Sequence, residues 1–284
     1  MDQFYVRLLG TGSPKPNKER SGPAQVIMID DTPVLVDCGE GVTRQLLYSD
    51  INPVDINNVL FTHLHSDHVF GYSHFLLGGW SLGRTKLTII GPKGLKAFHE
   101  KVLDMFEEDI HYRCSALGIS GEGLLDVNVI ELPDEGGDVP FEGINVNVTY
   151  TPVVHNVKTF GFRFQKGGQS IVISGDTAPV DSLVQLAKNA DILVQDAAIA
   201  SSVFNNKSSD SNIRRVWEIL KKEHCTPKQA AEIASEAGVK CLVLTHLLPN
   251  TDKEEIYKEA SEYFNGTVIV GEDLEKINMK SKVF

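Results

Sequence analysis

The sequence predicts an α/β protein in which two β-sheets are sandwiched between outer helices. Three observations support this. Strand-like segments occur in both halves of the chain, helical segments separate many of them, and no repeat or low-complexity linker interrupts the series. One doubly wound sheet would fit such a pattern less well. The chain has 284 residues, 42% of them hydrophobic and 23% charged, enough for one large domain or two small ones.

The elements follow in order. Residues 4–9, 24–29 and 33–37 (FYVRLL, AQVIMI, PVLVD) are apolar, β-branched runs between Gly/Pro-rich turns, so they read as strands. Residues 58–62 (NVLFT) form another, running directly into a histidine cluster. The strand KLTII leads to a helix expected at 93–106. Residues 107–137 carry the breakers GISGEG and PDEGGD and read as an irregular covering insertion. Beyond them, INVNVTY and FGFRFQ alternate with period 2, and SIVIS runs into Gly175-Asp176. Helices expected near 180–188, 211–222 and 227–237 are interleaved with strands DILVQ and KCLVL. The third helix is the best marked: Thr226 caps it, Pro227 suits its first position, Gln229 closes a capping box, and Gly238 suits its exit. A last helix at about 252–264 precedes the strand TVIV.

Composition narrows the function. Twenty-seven basic against 38 acidic residues leave a net charge of −11, which argues against a polyanion partner, because nucleic acid affinity rests largely on Lys and Arg. No apolar run approaches the ~20 residues of a membrane span, and the N-terminus lacks a signal-peptide pattern. Cys38, Cys114, Cys225 and Cys241 form no CxxC pair, which suits reduced thiols in the cytoplasm.

The segment FTHLHSDHVFGYSH, residues 61–74, holds four of the nine histidines. On an extended chain His63 and His65 point to the same side, so both imidazoles can meet one metal. Asp67 and His68 follow a turn and suit a second, adjacent metal. Imidazole and carboxylate favour zinc, with manganese or iron(II) as alternatives. Four residues cannot complete two sites. Three more metal-ligating residues directly follow apolar strands: His155 in TPVVHN, Asp176 in SGDTAP and His246 in LTHLLP. All three are expected at the same edge of the fold.

This ordered set resembles that of the metallo-β-lactamase fold superfamily of metallohydrolases, over about residues 5–271. The resemblance implies a four-layer αββα sandwich and a single domain over residues 1–284. It implies that His63, His65 and His155 hold one metal, that Asp67, His68 and His246 hold the other, and that Asp176 bridges. Asp37, in VDCGEG, resembles the family's early Asp-x-Gly carboxylate, which supports the metal loop from behind. Two such cations share a bridging hydroxide and polarise the electrophile, and Asp67 is the carboxylate expected to orient the nucleophile or carry its proton.

The opening LLGTGSPKPNKERS resembles the ribonuclease Z-like branch, which includes tRNA 3′-processing enzymes and arylsulfatase-like proteins. Three loops are similar to those of the tRNA enzymes. Pro16–Ser21 resembles their Pro-x-Lys-x-Arg-Asn loop without its final Asn. Gln195-Asp196-Ala197-Ala198 stands where they carry His-Glu-Ala-Thr, and His224-Cys225-Thr226 where they carry His-Ser-Thr. On this likeness His224 is a candidate proton donor with Asp196 as its partner. A basic tRNA-gripping arm would lie between His155 and Asp176, where FGFRFQKGGQS reads as a plain hairpin. The middle, HLHSDHVFGYSHFLLGGWSLGRTKLTIIGPKG, resembles the arylsulfatase-like proteins more. The expectation is therefore a dinuclear, metal-dependent hydrolase of ester bonds in a small-molecule substrate, with tRNA 3′-end cleavage as the alternative. Trp80 and Arg113 are candidate substrate contacts, Arg113 for an anionic group, and His74 is a candidate for the pocket mouth. The resemblance also allows a homodimer, without marking a surface for it.

Overall fold

The computed structural model describes residues 3–141, 143–200 and 211–278. Among these, the strands form two seven-stranded sheets. In the first, β1 (Phe4–Gly10), β2 (Ala24–Ile29), β3 (Thr32–Val36), β4 (Asn58–Leu60), β5 (Thr88–Gly91) and β6 (Asn128–Glu131) lie side by side in chain order. In the second, β7 (Gly137–Asp138), β8 (Asn147–Val153), β9 (Thr159–Lys166), β10 (Gln169–Ile173), β11 (Ile192–Asp196), β12 (Cys241–Thr245) and β13 (Thr267–Val270) do the same. A short β14 (Lys276–Ile277) returns to the first sheet beside β1.

Period-2 alternation divides the side chains of each strand between two cores. Ile27, Val34, Leu60 and Ile90 point to the space between the sheets, where Phe160, Phe162 and Phe164 of β9 meet them. Their neighbours Val26, Leu35, Val59 and Ile89 point outward and are covered by helices. Strands buried on both faces have to be apolar throughout, which is why these runs look continuous in the sequence. Each fully buried Phe contributes roughly 2–3 kcal/mol of transfer free energy.

The helices of the first half are α1 (Val42–Tyr48), α2 (Ser66–Val69), α3 (Tyr72–Ser81), α4 (Leu95–Met105) and α5 (Glu107–Ser115). Each places residues in the outer core of the first sheet. Among the described residues, those of the second half are α6 (Asp181–Leu186), α7 (Ser211–Leu220), α8 (Pro227–Ala237) and α9 (Lys253–Ser261). Among them α6, α8 and α9 pack on the second sheet. Helix α8 presents Ala230, Ala231, Ala234 and Ala237, whose small side chains let its backbone lie close to the strands. Its start is the expected capping box, with Thr226 accepting from Gln229 N–H, and its exit is Gly238 at φ 68°.

The four layers are those expected. Segment 107–137 is not irregular, however. It contributes α5 and, through β6, an edge strand parallel to β5. Ile110 is the one buried residue of α5, so its pattern shows almost no apolar stripe. Instead, Glu107, Glu108 and Asp109 open the helix and Arg113 closes it, a charge order that favours the helix dipole. No helix among the described residues is long and apolar enough to cross a membrane.

Topology brings the chemistry together. Strands β10, β11 and β12 are parallel, and β8 shares their direction because β9 is antiparallel to both β8 and β10. The C-terminal ends of β8, β10, β11 and β12 therefore line one edge. In the first sheet the parallel strands β3 and β4 end together, just before Asp37 and His63. The turn after β3 needs glycine for space: a Cβ on Gly39 would lie 2.4 Å from Gly22 C and 2.7 Å from Asp67 O.

Candidate active site

The first half of the site is organised by one buried carboxylate. Asp37 adopts a left-handed φ of 60° directly after β3. Its Oδ1 accepts from Thr62 N–H and its Oδ2 from the Thr62 hydroxyl, both at 2.8 Å. Oδ2 also accepts from His68 Nδ1 at 2.8 Å. Thr62 has then given its one hydroxyl proton to Asp37, so its oxygen accepts from His63 Nδ1 at 3.0 Å. Both imidazoles are thereby fixed as Nδ1–H tautomers, with the Nε2 lone pair turned the other way. Those two Nε2 atoms are buried without a hydrogen-bond partner. They lie 3.7 Å (His63) and 3.4 Å (His68) from the Asp176 carboxylate.

The second half comes from the far sheet. Following β8, His155 donates from Nδ1 to Glu223 O at 3.0 Å, and its Nε2 lies 3.1 Å from His65 Nδ1. After β12, His246 sits at φ 61°, with Nε2 3.1 Å from Asp67 Oδ2 and 3.2 Å from Asp176 Oδ2. Asp176 follows Gly175, whose own φ is 64°. Four overlapping groups of ligand atoms result, the atoms of each lying within 4.8 Å of one another: His63, His65, His155 and Asp176; Asp67, His68 and His246; Asp176, Asp196, His224 and His246; and His155, Glu223 and His224. The first two contain the residues that the resemblance assigns to the two metals, and the others add Asp196, Glu223 and His224. Buried nitrogen lone pairs facing each other and facing carboxylates suit a cation between them, so the donor set fits divalent metal.

The electrostatics of the protein without metal agree. Burial pushes the His63 imidazole well below its ordinary range, and neighbouring His68 adds to this. For His68 burial also lowers the pKa, but Asp176 and Asp37 outweigh it and hold the ring well above 6.5. Asp176 stays well below the usual carboxylate range despite its burial, because His246 and His68 surround it.

Beside the cluster, His224 Nδ1 donates to Asp196 Oδ2 at 2.7 Å and lies 4.0 Å from Asp176 Oδ2. Asp196, the last residue of β11, also accepts from Thr177 N–H and Ala198 N–H, which fixes its carboxylate. Burial lowers the His224 pKa, but the Asp196 charge and hydrogen bond more than reverse this and raise it to about 9. The geometry is that of an imidazole oriented by a buried acid.

The other candidates lie elsewhere. Trp80 is buried in the outer core and donates its indole N–H to Ser120 O at 2.7 Å. Arg113 stacks 5.9 Å over the Trp80 ring and bonds Asp109 and the Ser81 hydroxyl, so the two contact each other between α3 and α5. His74 is exposed on α3. Arg20, in the loop likened to a tRNA-contacting one, is turned inward to Thr11 Oγ1 and Gly271 O. Thr62 and Glu223 are contributors that sequence reasoning missed, although each directly precedes a singled-out histidine. Glu223 also offers a carboxylate near His155 and His224.

Fold and site together define the class. The chain belongs to the beta-lactamase superfamily of metal-dependent hydrolases, and the family described as "Beta-lactamase superfamily domain" matches residues 32–247. Within that class its relatives are more particular. A protein named "Ribonuclease Z" from Mycobacterium bovis (strain BCG / Pasteur 1173P2) is 33% identical over 283 residues, covering 96% of this chain and 98% of its own. The crystal structure of human tRNase Z, short form, is 26% identical, with TM-score 0.73 over 98% of this chain and all of that one. The metallo-beta-lactamase fold protein YhfI from Bacillus subtilis shares the fold, with TM-score 0.76 at 20% identity over 98% and 99% of the two chains.

These relatives correct two expectations. A small-molecule ester substrate, and the argument against nucleic acid, are overturned by full-length similarity to proteins named ribonuclease Z and tRNase Z. The net charge misled because it sums the whole surface, whereas phosphate is met locally. The plain hairpin between His155 and Asp176 misled because the short arm there does not exclude the full-length likeness to these relatives.

Proposed function

We propose that this protein is a tRNA 3′-processing endonuclease of the ribonuclease Z type, cutting one phosphodiester bond of precursor tRNA. Full-length similarity to ribonuclease Z carries the reading. The oriented His224–Asp196 pair beside the ligand cluster supports it. Two divalent ions, zinc on the chemistry of the imidazole-rich donors, would polarise the phosphate and acidify the attacking water. His63, His65 and His155 would hold one ion, Asp67, His68 and His246 the other, and Asp176 would contact both.

The remaining steps belong to the side chains. Asp67 would orient the attacking water and accept its proton. The departing ribose oxygen is strongly basic and needs a proton as the P–O bond breaks. His224 supplies it from the ring nitrogen that does not face Asp196, and Asp196 stabilises the imidazolium beforehand. Asp37, through Thr62 and His68, keeps the ligand tautomers correct throughout. All four cysteines are free thiols, which supports a reducing, cytoplasmic setting.

Incubation of the metal-loaded protein with precursor tRNA carrying a 3′ trailer is the test. A single cut near the discriminator base is expected. Intact precursor after prolonged incubation with zinc or manganese would refute the assignment.

A further inference from the structure

The candidate metal ligands differ in what orients them. His63, His68 and His155 each donate from Nδ1, to the Thr62 hydroxyl, to Asp37 and to Glu223 O respectively. His246 is held differently. Its Nδ1 is buried without a hydrogen-bond partner among the described residues, and Asp196 Oδ1 stands 3.7 Å away. The aim of this ring toward Asp67 and Asp176 therefore depends on its backbone. That backbone is strained: His246 sits at φ 61°, a left-handed conformation that costs energy for any residue with a Cβ. Such a conformation persists only where its surroundings over-determine it.

Three backbone bonds clamp the segment around it. Gly271 N–H donates to Leu244 O at 2.9 Å, Ala197 N–H to Thr245 O at 3.1 Å, and Leu247 N–H to Thr11 O at 2.8 Å. The first two come from Gly271 and Ala197, which directly follow the neighbouring strands β13 and β11. The third crosses to the first sheet, because Thr11 directly follows β1. Thr11 is fully buried and answers to one half-buried carboxylate. Its N–H and hydroxyl donate to Asp273 Oδ1 at 2.9 and 2.8 Å. Asp273 Oδ2 accepts from Ser21 N–H at 2.7 Å and from Gln45 Nε2 at 2.8 Å. Four donors thus saturate the two oxygens, and both ends of the loop that carries Lys15 share one side chain. Arg20 Nη1 braces the same point from within the loop, donating to Thr11 Oγ1 and Gly271 O. The series Asp273, Thr11, Leu247 ends on the peptide that follows His246.

We propose that Asp273 is a positioning residue for the second metal: through Thr11 and Leu247 it keeps His246 in the left-handed conformation that aims Nε2 at the ion. It does through the backbone what Asp37 does for His68 through the ring. The proposal rests on the two-metal reading above and adds a residue outside the ligand set. It is also directional. The two bonds to Oδ1 lead to His246, whereas the two to Oδ2 serve the far end of the loop and α1. Asp273→Asn keeps a carbonyl oxygen for Thr11 and turns its amide toward Ser21 and Gln45, so it spares the metal. Asp273→Ala removes both arms.

The experiment titrates zinc out of the metal-loaded full chain with a competing chelator, for wild type and for Asp273→Asn, Asp273→Ala, Thr11→Ala and His246→Ala. Two release steps are expected in wild type, and His246→Ala marks the one that belongs to the second ion. Asp273→Ala should weaken that step about 10- to 100-fold, the range for lost outer support of a ligand, and leave the other step unchanged. Asp273→Asn should hold both steps near wild type. In the His246→Ala background Asp273→Ala should add no further loss, because the two act in series. If Asp273→Ala does not fold, the other two variants decide. Thr11→Ala, which loses the hydroxyl arm, should then weaken the second step more than Asp273→Asn does, and the reverse order overturns the proposal. Equal weakening of both steps by Asp273→Ala, or of neither, overturns it and leaves the metal reading standing. A wild type that binds no zinc overturns both.

Discussion

The two halves of the site are built on opposite plans. On the first sheet, His63 and His68 are almost wholly buried, and a single carboxylate, Asp37, sets both rings within a short, contiguous stretch. On the second sheet, His155 is half-buried and is oriented by a backbone carbonyl, Glu223 O, while His224 answers to Asp196. The first half is a rigid cradle. The second is assembled from four loops, and in the proposed mechanism it carries the group that donates a proton. Loss of Asp37 should therefore act on metal retention, and loss of His224 on the chemical step.

The sharpest test of this contrast is His224→Ala. It should lower kcat by about 10²–10⁴-fold, as expected for loss of a general acid, with metal content by atomic emission unchanged. A comparable loss of metal would erase the distinction. Asp37→Ala probes the opposite half: metal affinity should fall about 10–100-fold, and excess zinc should restore much of the activity. If added zinc does not restore it, Asp37 has a role beyond orienting ligands.

Acid–base behaviour separates the halves further in chelator-treated protein. His68, His246 and His224 all have folded pKa values above the ordinary 6.5. The stability they contribute is complete below 6.5 and is lost as pH rises through the folded values. For His224, raised to about 9, the loss is on the order of 3 kcal/mol. Asp176 acts in reverse: its depressed pKa stabilises above the ordinary carboxylate range, and that contribution is lost in strong acid. The melting midpoint of the metal-free protein should thus decline between pH 6.5 and 9. In the metal-loaded protein the share from His68 and His246 should vanish, because metal binding favours deprotonated ligands, while the share from His224 remains. Identical curves for both forms would contradict the assignment of His68 and His246 as ligands.

The smallest effect is expected for Arg113→Ala. Its partners are Asp109, Ser81 and the Trp80 ring, so stability should change by only ~0.5 kcal/mol and cleavage hardly at all. A large loss of activity would return Arg113 to the substrate path.

Much of this was legible in the chain. The seven candidate ligands could be picked out because each follows an apolar strand or lies in the dense 63–68 cluster, and strand ends are where this architecture collects side chains. The capping box of α8 is local chemistry, readable from Thr226, Pro227 and Gln229 alone. By contrast, α1 and α5 escaped notice because seven and nine residues with little apolar periodicity give no helical signal. Substrate class escaped too, since net charge and a missing arm are averages or absences rather than contacts.

The sequence by itself determined the layers, the order of the candidate ligands and the placing of His63 and His65 on one side, because alternation and short spacing act within a few residues. Only the tertiary structure decided which nitrogen of each ring is available, since that depends on Asp37 reaching Thr62 and His68 across the turn of another strand. It also decided that Asp196 meets His224 and that Asp273 roots the loop carrying Lys15. Such contacts join residues up to 262 positions apart. Hydrogen bonds are directional and short-ranged, so nothing in the linear order announces them until the strands have packed.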